Sequence, residues 1–273
     1  MVKFFFLLIN FILFSSLSYG ESIKAASINL CADQYLYLIA DRKQITSLSY
    51  MSKDENISFI SNRVEHFNLN NGRAEEIILQ KPDVVFVGPG SSQSTIKILK
   101  KLDFNIVKIN KAKNFEEVKK QVLLISKIMG NIEKGEKINN NIDIEINKYL
   151  KNFQRKNDIS LVVLAPNGYA FGKDSLVSHA VDLLGYRSVI RKLNVIDYNR
   201  IDLESLLLLD PEIIILADSY KRYYSLSQDF LNHNVLNYLI KKGRKYDLSK
   251  NLLSCSGPFS TNIIRELIMQ DGK

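Results

Sequence analysis

Two cysteines and one aspartate are the residues of this chain whose types most directly suggest chemistry. Cys31 and Asp33 lie in "NLCADQ", and Cys255 lies far along the chain in "SCSGP". A catalytic cysteine must be a thiolate, which a nearby histidine or positive charge stabilises. No histidine is local, and the negative Asp33 would disfavour a thiolate. Three interpretations therefore stay open beside catalysis: a Cys31–Cys255 disulfide, two free thiols that face a ligand, or two unrelated buried residues.

Signatures of the common catalytic and phosphate-binding sites do not occur in the sequence. There is no GxSxG, Walker A, HExxH or GxGxxG pattern, and "GPGSSQST" lacks the lysine of a phosphate-binding loop. The three histidines, His66, His179 and His233, have no second histidine at helical or strand spacing. We therefore expect neither a catalytic centre nor a metal site built from several side chains.

The elements that must position these residues alternate between strand and helix. Short β-branched segments such as "AASIN", "ITSLS", "DVVFV" and "NIVKI" are separated by helical patterns, and a second set runs from "ISLVVLAP" through "EIIILAD". This alternation predicts an α/β fold in which mainly parallel sheets are covered by helices. Ligands of such sheets bind beyond the carboxyl ends of the strands. We expect the functional residues at those ends.

Residues that follow the predicted strands define one candidate cleft. The predicted cleft residues are Asn29, Cys31, Asp33, Tyr50, Gly88, Gly90, Ser91, Asn167, Tyr169, Phe171, Tyr220, Arg222, Tyr223, Cys255 and Ser256. Most of these residues are aromatic, small, or neutral and polar, with one arginine among them. That composition suits a bulky ligand held by stacking and a few hydrogen bonds.

An internal repeat indicates that the chain contains two similar units. The stretch "AEEIILQKPDVVFV" (74–87) aligns with "LESLLLLDPEIIIL" (203–216), and Pro82 falls on Pro211. Each copy reads as a helix that ends at a proline turn and is followed at once by a buried strand. The repeat therefore predicts two similar α/β lobes.

Two helical patterns lie between the two sets. Apolar residues from Phe115 to Ile132 recur at 3-4-3-4-3 spacing, which predicts one buried helical stripe with a stop at Gly130. A second pattern, from Glu133 to Gln154, would be about 33 Å long, enough to bridge two small domains. The alternative is an ordinary surface helix of one domain. We predict a signal peptide over 1–20, an N-terminal lobe over 21–131, a bridging helix over 132–156 and a C-terminal lobe over 157–273.

The N-terminal twenty residues have the pattern of a secretory signal. Lys3 precedes the apolar run "FFFLLINFILF", and small residues at Ser18 and Gly20 suggest cleavage before Glu21. We therefore predict that the protein is exported through a cleaved signal peptide. The formal charge of +8 falls to about +7 without Lys3. Because the lysines are dispersed and no basic run contains interleaved aromatic residues, we predict no nucleic-acid partner.

Several of these stretches together resemble one known family. The residues that carry the resemblance are "INLCADQYLYLIAD" with "ITSLSYMS", "RVEHFNLNNGRAEEIILQKPDVVFV", "DLLGYRSV" and "IDLESLLLLDPEIIIL". They are similar to periplasmic solute-binding proteins of the iron-complex and vitamin B12 uptake class, which serve ABC importers. The resemblance covers essentially all of the mature chain.

The resemblance implies a fold, a ligand class and partners. It implies two Rossmann-like lobes joined by one long helix, and a periplasmic monomer that holds a metal chelate between the lobes. Cobalamin, a ferric siderophore and haem are the chelates it implies, none of them bound covalently. The partners it implies are an ABC permease and, through the permease, its ATPase. Glu65 matches the permease-docking glutamate of the first lobe, whereas the matching position of the second lobe is Arg187 and departs from the pattern.

Two functions from other classes compete with transport. The first is an exported enzyme that uses Cys31 as its nucleophile, and the second is a ligand sensor that uses the same fold without transport. A turnover that Cys31→Ala abolishes would favour the enzyme.

Overall fold

The computed structural model describes residues 22–151, 153, 158–217 and 226–272. Over those residues the strands are β1 Ala25–Ser27, β2 Ile45–Ser49, β3 Leu69–Asn70, β4 Val84–Val87, β5 Asn105–Lys108, β6 Ser160–Ala165, β7 Tyr169–Phe171, β8 Arg187–Ser188, β9 Tyr198–Arg200, β10 Ile213–Leu216 and β11 Arg244–Asp247. The α-helices are α1 Leu30–Ile39, α2 Ala74–Gln80, α3 Gln93–Lys101, α4 Phe115–Met129, α5 Ile132–Lys151, α6 Leu176–Leu183, α7 Leu203–Leu209, α8 Asn234–Lys242, α9 Lys250–Ser254 and α10 Thr261–Asp271. The predicted signal peptide and part of the predicted bridging segment lie outside the described residues.

The first sheet is fully parallel, with strand order β3-β2-β1-β4-β5. Its central strands β1 and β4 are buried along their whole length. Buried apolar strands are typical of parallel sheets with helices on both faces. The edge strand β5 exposes Asn105 and Lys108.

The second sheet is mixed, with order β11-β10-β6-β7-β9 and β8 beside β6. Strands β6, β8, β10 and β11 pair in parallel, whereas β7 pairs antiparallel with both β6 and β9. A tight turn at residues 166–168 reverses the chain between β6 and β7, with positive φ at Asn167 (62°) and Gly168 (75°). The α/β class predicted from the sequence is confirmed. The antiparallel edge formed by β7 and β9 was not predicted.

Alternate residues of the central strands face different helices. Ala25 and Val84 join a core that also contains Leu161 and Ile213 of the second sheet. Their neighbours along the strands, such as Val85 and Val162, point into two smaller clusters against the outer helices. Because strand side chains alternate between faces, each sheet has one outer core and shares the inner one. The shared core brings together the two halves of the chain, the first of which contains β1–β5 and the second β6–β11.

The internal repeat has the same backbone in both copies. Helices α2 and α7 end at Lys81 and Asp210, which take the left-handed conformation with φ of 45° and 42°. In both copies a proline follows, and a residue before proline disfavours the right-handed helical conformation. Strands β4 and β10 then begin three residues after each cap.

Helix α4 carries the buried stripe that its sequence predicts. Phe115, Val118, Val122, Ile125 and Met129 are all buried, and Gly130 ends the helix in the left-handed conformation with φ of 74°. Ile132, the last residue of the predicted stripe, instead begins α5 and is 49% exposed. The glycine cap therefore divides the pattern into two helices.

Helix α5 packs against α4 on one side and against α10 on the other. Its twenty residues correspond to about 30 Å, and Thr261 at the start of α10 donates a hydrogen bond to Glu145. The bridging role of this segment and the domain boundaries stay predictions. Over the described part of the chain, no helix combines the length and apolar character needed to cross a bilayer.

Candidate ligand-binding cavity

A cavity of about 400 Å³ lies where the two halves of the chain meet. Ile109, Asn110 and Lys111 reach it directly after β5, and Ala165 and Ala217 reach it at the ends of β6 and β10. The cavity therefore lies at the carboxyl ends of parallel strands from both sheets, where α/β proteins place their ligands. Its volume is within the range of small-molecule sites.

A disulfide between Cys31 and Cys255 forms part of the cavity wall. Cys31 lies in the first turn of α1 and Cys255 directly follows α9, with 5.3 Å between their Cα atoms. Of the interpretations that the sequence left open for these cysteines, the structure therefore contains the disulfide. It joins the two halves covalently across 224 positions of the chain.

Asn29 fixes the start of α1 beside this disulfide. Its side-chain oxygen accepts hydrogen bonds from the backbone N–H groups of Cys31 (3.0 Å) and Ala32 (3.3 Å), which caps the helix. Its amide nitrogen donates to the carbonyl of Pro89 at 2.9 Å. A Cβ atom at Gly88 would lie 2.5 Å from the Asn29 side chain. Glycine at position 88 thus allows Asn29 to hold both α1 and the loop after β4.

An aromatic cluster forms another part of the wall. Tyr198 lines the cavity and stacks on Tyr169, with 4.8 Å between ring centroids. Phe171, which also lines the cavity, lies 4.9 Å from the Tyr198 ring in a tilted arrangement. Burial raises the pKa of the Tyr198 hydroxyl above its ordinary value, with a further contribution from Tyr169. The hydroxyl therefore stays protonated at neutral pH and can donate a hydrogen bond.

Positive charge reaches the cavity through Lys111 and Lys250. The ammonium of Lys111 pairs with Asp197 and lies 5.9 Å from the centroid of the Tyr198 ring. No aspartate or glutamate lines the cavity among the described residues. The described part of the wall therefore carries ammonium groups and no carboxylate.

Asp33 does not line the cavity, although the sequence placed it in the cleft. It is fully buried inside the first half, where its carboxylate accepts hydrogen bonds from the Ser49 backbone (3.1 Å), the Ser49 hydroxyl (2.5 Å) and the Ser52 hydroxyl (2.6 Å). Burial raises the pKa of this carboxyl to about 6, against the opposing effect of the serine donors. These hydrogen bonds connect α1 to the end of β2 and to the segment that follows it.

The other predicted cleft residues fall into three groups. Cys31, Phe171, Cys255 and Ser256 line the cavity. The remaining described residues do not line the cavity: Asn29, Gly88 and Ser91 are buried, Tyr169 is half-buried, and Tyr50, Gly90 and Asn167 are exposed. Tyr220, Arg222 and Tyr223 are outside the described residues.

Three important wall residues were missed by the sequence reasoning. Lys111 comes three residues after β5, beyond the carboxyl end of the predicted strand "NIVKI". Residues in that position are expected near a ligand, so the sequence does contain a signal for Lys111. Tyr198 lies on a three-residue exposed strand, and Lys250 begins a five-residue helix. Neither short element has a periodic pattern that marks it in the sequence.

Over the described residues, no group of three or more histidine, cysteine, aspartate or glutamate residues could hold a metal ion.

Comparison with known proteins identifies the same architecture. The chain is 23% identical over 214 residues to the uncharacterized ABC transporter substrate-binding lipoprotein YvrC of Bacillus subtilis, covering 75% of this chain and 67% of that protein. The periplasmic vitamin B12-binding protein BtuF of Vibrio cholerae superposes with a TM-score of 0.70 at 14% identity, over 91% of this chain and 96% of that one. The periplasmic heme-binding protein HutB of Vibrio cholerae superposes with a TM-score of 0.72 at 12% identity, over 90% and 98% of the two chains.

A family model describes most of the chain directly. The periplasmic binding protein model matches residues 26–248 and so includes most of β1, all of β2 through β11, both copies of the repeat and most of the cavity wall. The two structural superpositions show that the fold is shared even where the sequences have diverged. On this sequence match, the chain belongs to the periplasmic binding protein family.

Proposed function

We propose that this protein is the substrate-binding component of an ABC importer, and that it captures a metal chelate in the cavity between its halves and delivers the chelate to the permease. The observation that carries the proposal is the cavity itself, at the carboxyl ends of strands from both sheets. Support comes from the family and from the substrate-binding lipoprotein to which the chain is similar. It is a binding function and needs no catalytic group.

The wall of the cavity indicates the class of chelate. Tyr198 and Phe171 offer ring faces and edges to a flat or bulky apolar body. Lys111 and Lys250 add positive charge at the same wall. These features favour a chelate with an apolar body and acidic groups. The structurally similar proteins that bind vitamin B12 and heme make cobalamin and haem candidates to test, and the family resemblance adds ferric siderophores.

The competing enzyme function is not favoured by the site. A cysteine nucleophile must be a thiolate, and the sulfur of Cys31 is bonded to that of Cys255. Cys31 is therefore part of the cavity wall and has no free thiol.

Glu65 is the residue that we propose for docking on the permease. It is exposed in the segment that follows the short helical turn at Ser61–Arg63. Arg187 of the second half is also exposed, and its guanidinium donates to the carbonyl of Asp158 at 3.4 Å. Arg187 departs from the docking pattern, so Glu65 alone is proposed to pair with a positively charged residue of the permease, which in turn contacts its ATPase.

Titration with three chelates tests the ligand class. Purified protein is mixed with haemin, cyanocobalamin or ferrichrome, and the visible absorption band of each is followed to saturation. We expect one chelate to bind at one per chain with a Kd near 1 µM or below, about −8 kcal/mol. Tyr198→Ala should weaken that binding about tenfold through lost ring contacts. Tyr238→Ala is the matched control, because Tyr238 lies on α8, is 59% exposed and does not line the cavity. Absence of binding by all three chelates would refute the proposed chelate class.

A further inference from the structure

The two halves of the chain meet around the cavity through contacts of two kinds. Near the disulfide the contacts are packed: Tyr35, a buried residue, donates to the Ser256 carbonyl at 3.4 Å. There too the rings of Phe59 and Phe259 stack at 5.1 Å. The loop after β5 adds exposed ion pairs to the second half, and just beyond it the buried ring of Phe115 lies 5.6 Å from that of His179. The pairs are Lys111–Asp197 at 2.5 Å and Lys113–Asp174 at 3.1 Å.

These two kinds of contact differ in how easily they separate. A disulfide does not open without a reductant, and it is reinforced here by the packed side chains. Ion pairs at the surface contribute little to stability because water and salt compete with them. The side chains of Lys111 and Asp197 are 38% and 57% exposed. Any widening of the cavity that keeps the disulfide and the packed contacts intact should therefore begin where Lys111 meets Asp197.

Lys111 connects this edge to the interior of the cavity. It lines the wall together with Tyr198, and its charge is neutralised by Asp197, which does not line the wall. If the pair separates, the ammonium of Lys111 is left beside a wall that has no carboxylate among the described residues. An anionic group on a ligand can then take the place of Asp197.

We propose that the Lys111–Asp197 pair is a charge-selective latch, which closes one edge of the cavity and opens when Lys111 exchanges Asp197 for an anionic group on the entering ligand. This inference rests on the proposed function and narrows it, because it makes anionic chelates the preferred ligands. Lys113–Asp174 is a second contact of the same edge and lies outside the cavity wall.

The disulfide provides a reporter of access that requires no chelate. A thiolate attacks one sulfur of the Cys31–Cys255 bond and forms a mixed disulfide, while the other sulfur leaves as a thiolate and takes a proton. A second thiolate attacks the mixed disulfide, which releases the oxidised reagent and leaves two protein thiols. Both cysteines line the cavity, so the reduction rate of the native protein measures entry of the reagent.

The experiment compares an anionic reagent, 2-mercaptoethanesulfonate, with a cationic reagent, cysteamine. Each rate is divided by the rate of the same reagent with the urea-unfolded protein, which removes the intrinsic difference between the thiols. We expect Asp197→Asn to speed reduction by both reagents, about threefold for loss of one exposed pair, and to raise the anion-to-cation ratio. Lys111→Gln should instead lower that ratio about twofold, because it removes one charge near the path.

Asp143→Asn is the matched control. It removes the Lys119–Asp143 pair between α4 and α5, which is remote from the cavity wall, and should leave both rates at their wild-type values. Unchanged rates in Asp197→Asn, or an unchanged ratio in Lys111→Gln, would overturn the latch. Because no chelate is present, these outcomes are separate from the chelate titration, whose failure would overturn the proposed function alone.

Discussion

Replacing Asp33 by asparagine should remove a large part of the pH dependence of this protein's stability. Asp33 is fully buried and accepts hydrogen bonds from Ser49 and Ser52. An asparagine side chain has nearly the same shape and can keep its oxygen toward the Ser49 N–H. Its amide can donate to the serine hydroxyls, which also act as acceptors. The substitution therefore changes the ionisable group with little change in packing.

The magnitude follows from the pKa of the buried carboxyl. Burial raises this pKa from 3.8 to about 6. A pKa difference of about two between the folded and unfolded protein corresponds to about 3 kcal/mol of unfolding free energy. Because the folded-state pKa is the higher one, the folded protein binds the proton more tightly than the unfolded chain does. The stabilising contribution is complete below the unfolded pKa and is lost as the pH rises through about 6. Between pH 4.5 and pH 7.5 the loss should be about 2 kcal/mol.

Urea unfolding at a series of pH values measures this effect. The free energy of unfolding is determined for the wild type and Asp33→Asn from pH 4.5 to 7.5, with circular dichroism as the signal. The wild type should lose stability relative to the variant as the pH rises, by about 2 kcal/mol over the range. Asp103→Asn is the control, since Asp103 is exposed with φ of 58°, a conformation that asparagine tolerates. If the difference in unfolding free energy between the wild type and Asp33→Asn were the same at every pH, the raised pKa of Asp33 would be refuted.

Three further predictions concern the disulfide, a helix contact and permease docking. The double variant Cys31→Ser/Cys255→Ser should lose up to about 5 kcal/mol of unfolding free energy, given the 224-residue separation; dithiothreitol should destabilise the wild type and leave the variant unchanged. Gly135→Ala should lower the unfolding free energy by about 1–3 kcal/mol, because a Cβ atom would lie 2.1 Å from the Ser126 hydroxyl; adding Ser126→Gly should recover part of the loss in the same urea assay. Glu65→Gln should reduce uptake of the chelate into cells and leave its Kd unchanged in titration, and a parallel loss of affinity would contradict a docking role.

The elements with strong local patterns could be predicted from the sequence. The apolar spacing of α4 and the Gly130 stop correspond to the observed helix and its cap. The two copies of the repeat end their helices at Lys81 and Asp210 in the same left-handed conformation. These features depend on neighbouring residues, and a short stretch of chain is enough to specify them.

The short strands of the second sheet could not be predicted in this way. Strands β7 and β9 have three residues each, and every residue of β9 is exposed. They form because β6 and the turn after it bring them into register, as in the pairs Leu164–Ala170 and Ala170–Asn199. Partners of this kind are separated in the sequence, so local composition carries little information about them.

The sequence by itself determined the α/β class, the duplication and the family, since each depends on patterns within continuous segments. The tertiary structure alone decided which residues form the cavity wall. It placed Lys111 beside Asp197 and Tyr198, and it joined Cys31 to Cys255. It also turned Asp33, two residues from Cys31, into the interior. The physical reason is that successive side chains of a helix point in different directions, so neighbours in the sequence meet different surroundings once both halves have packed together.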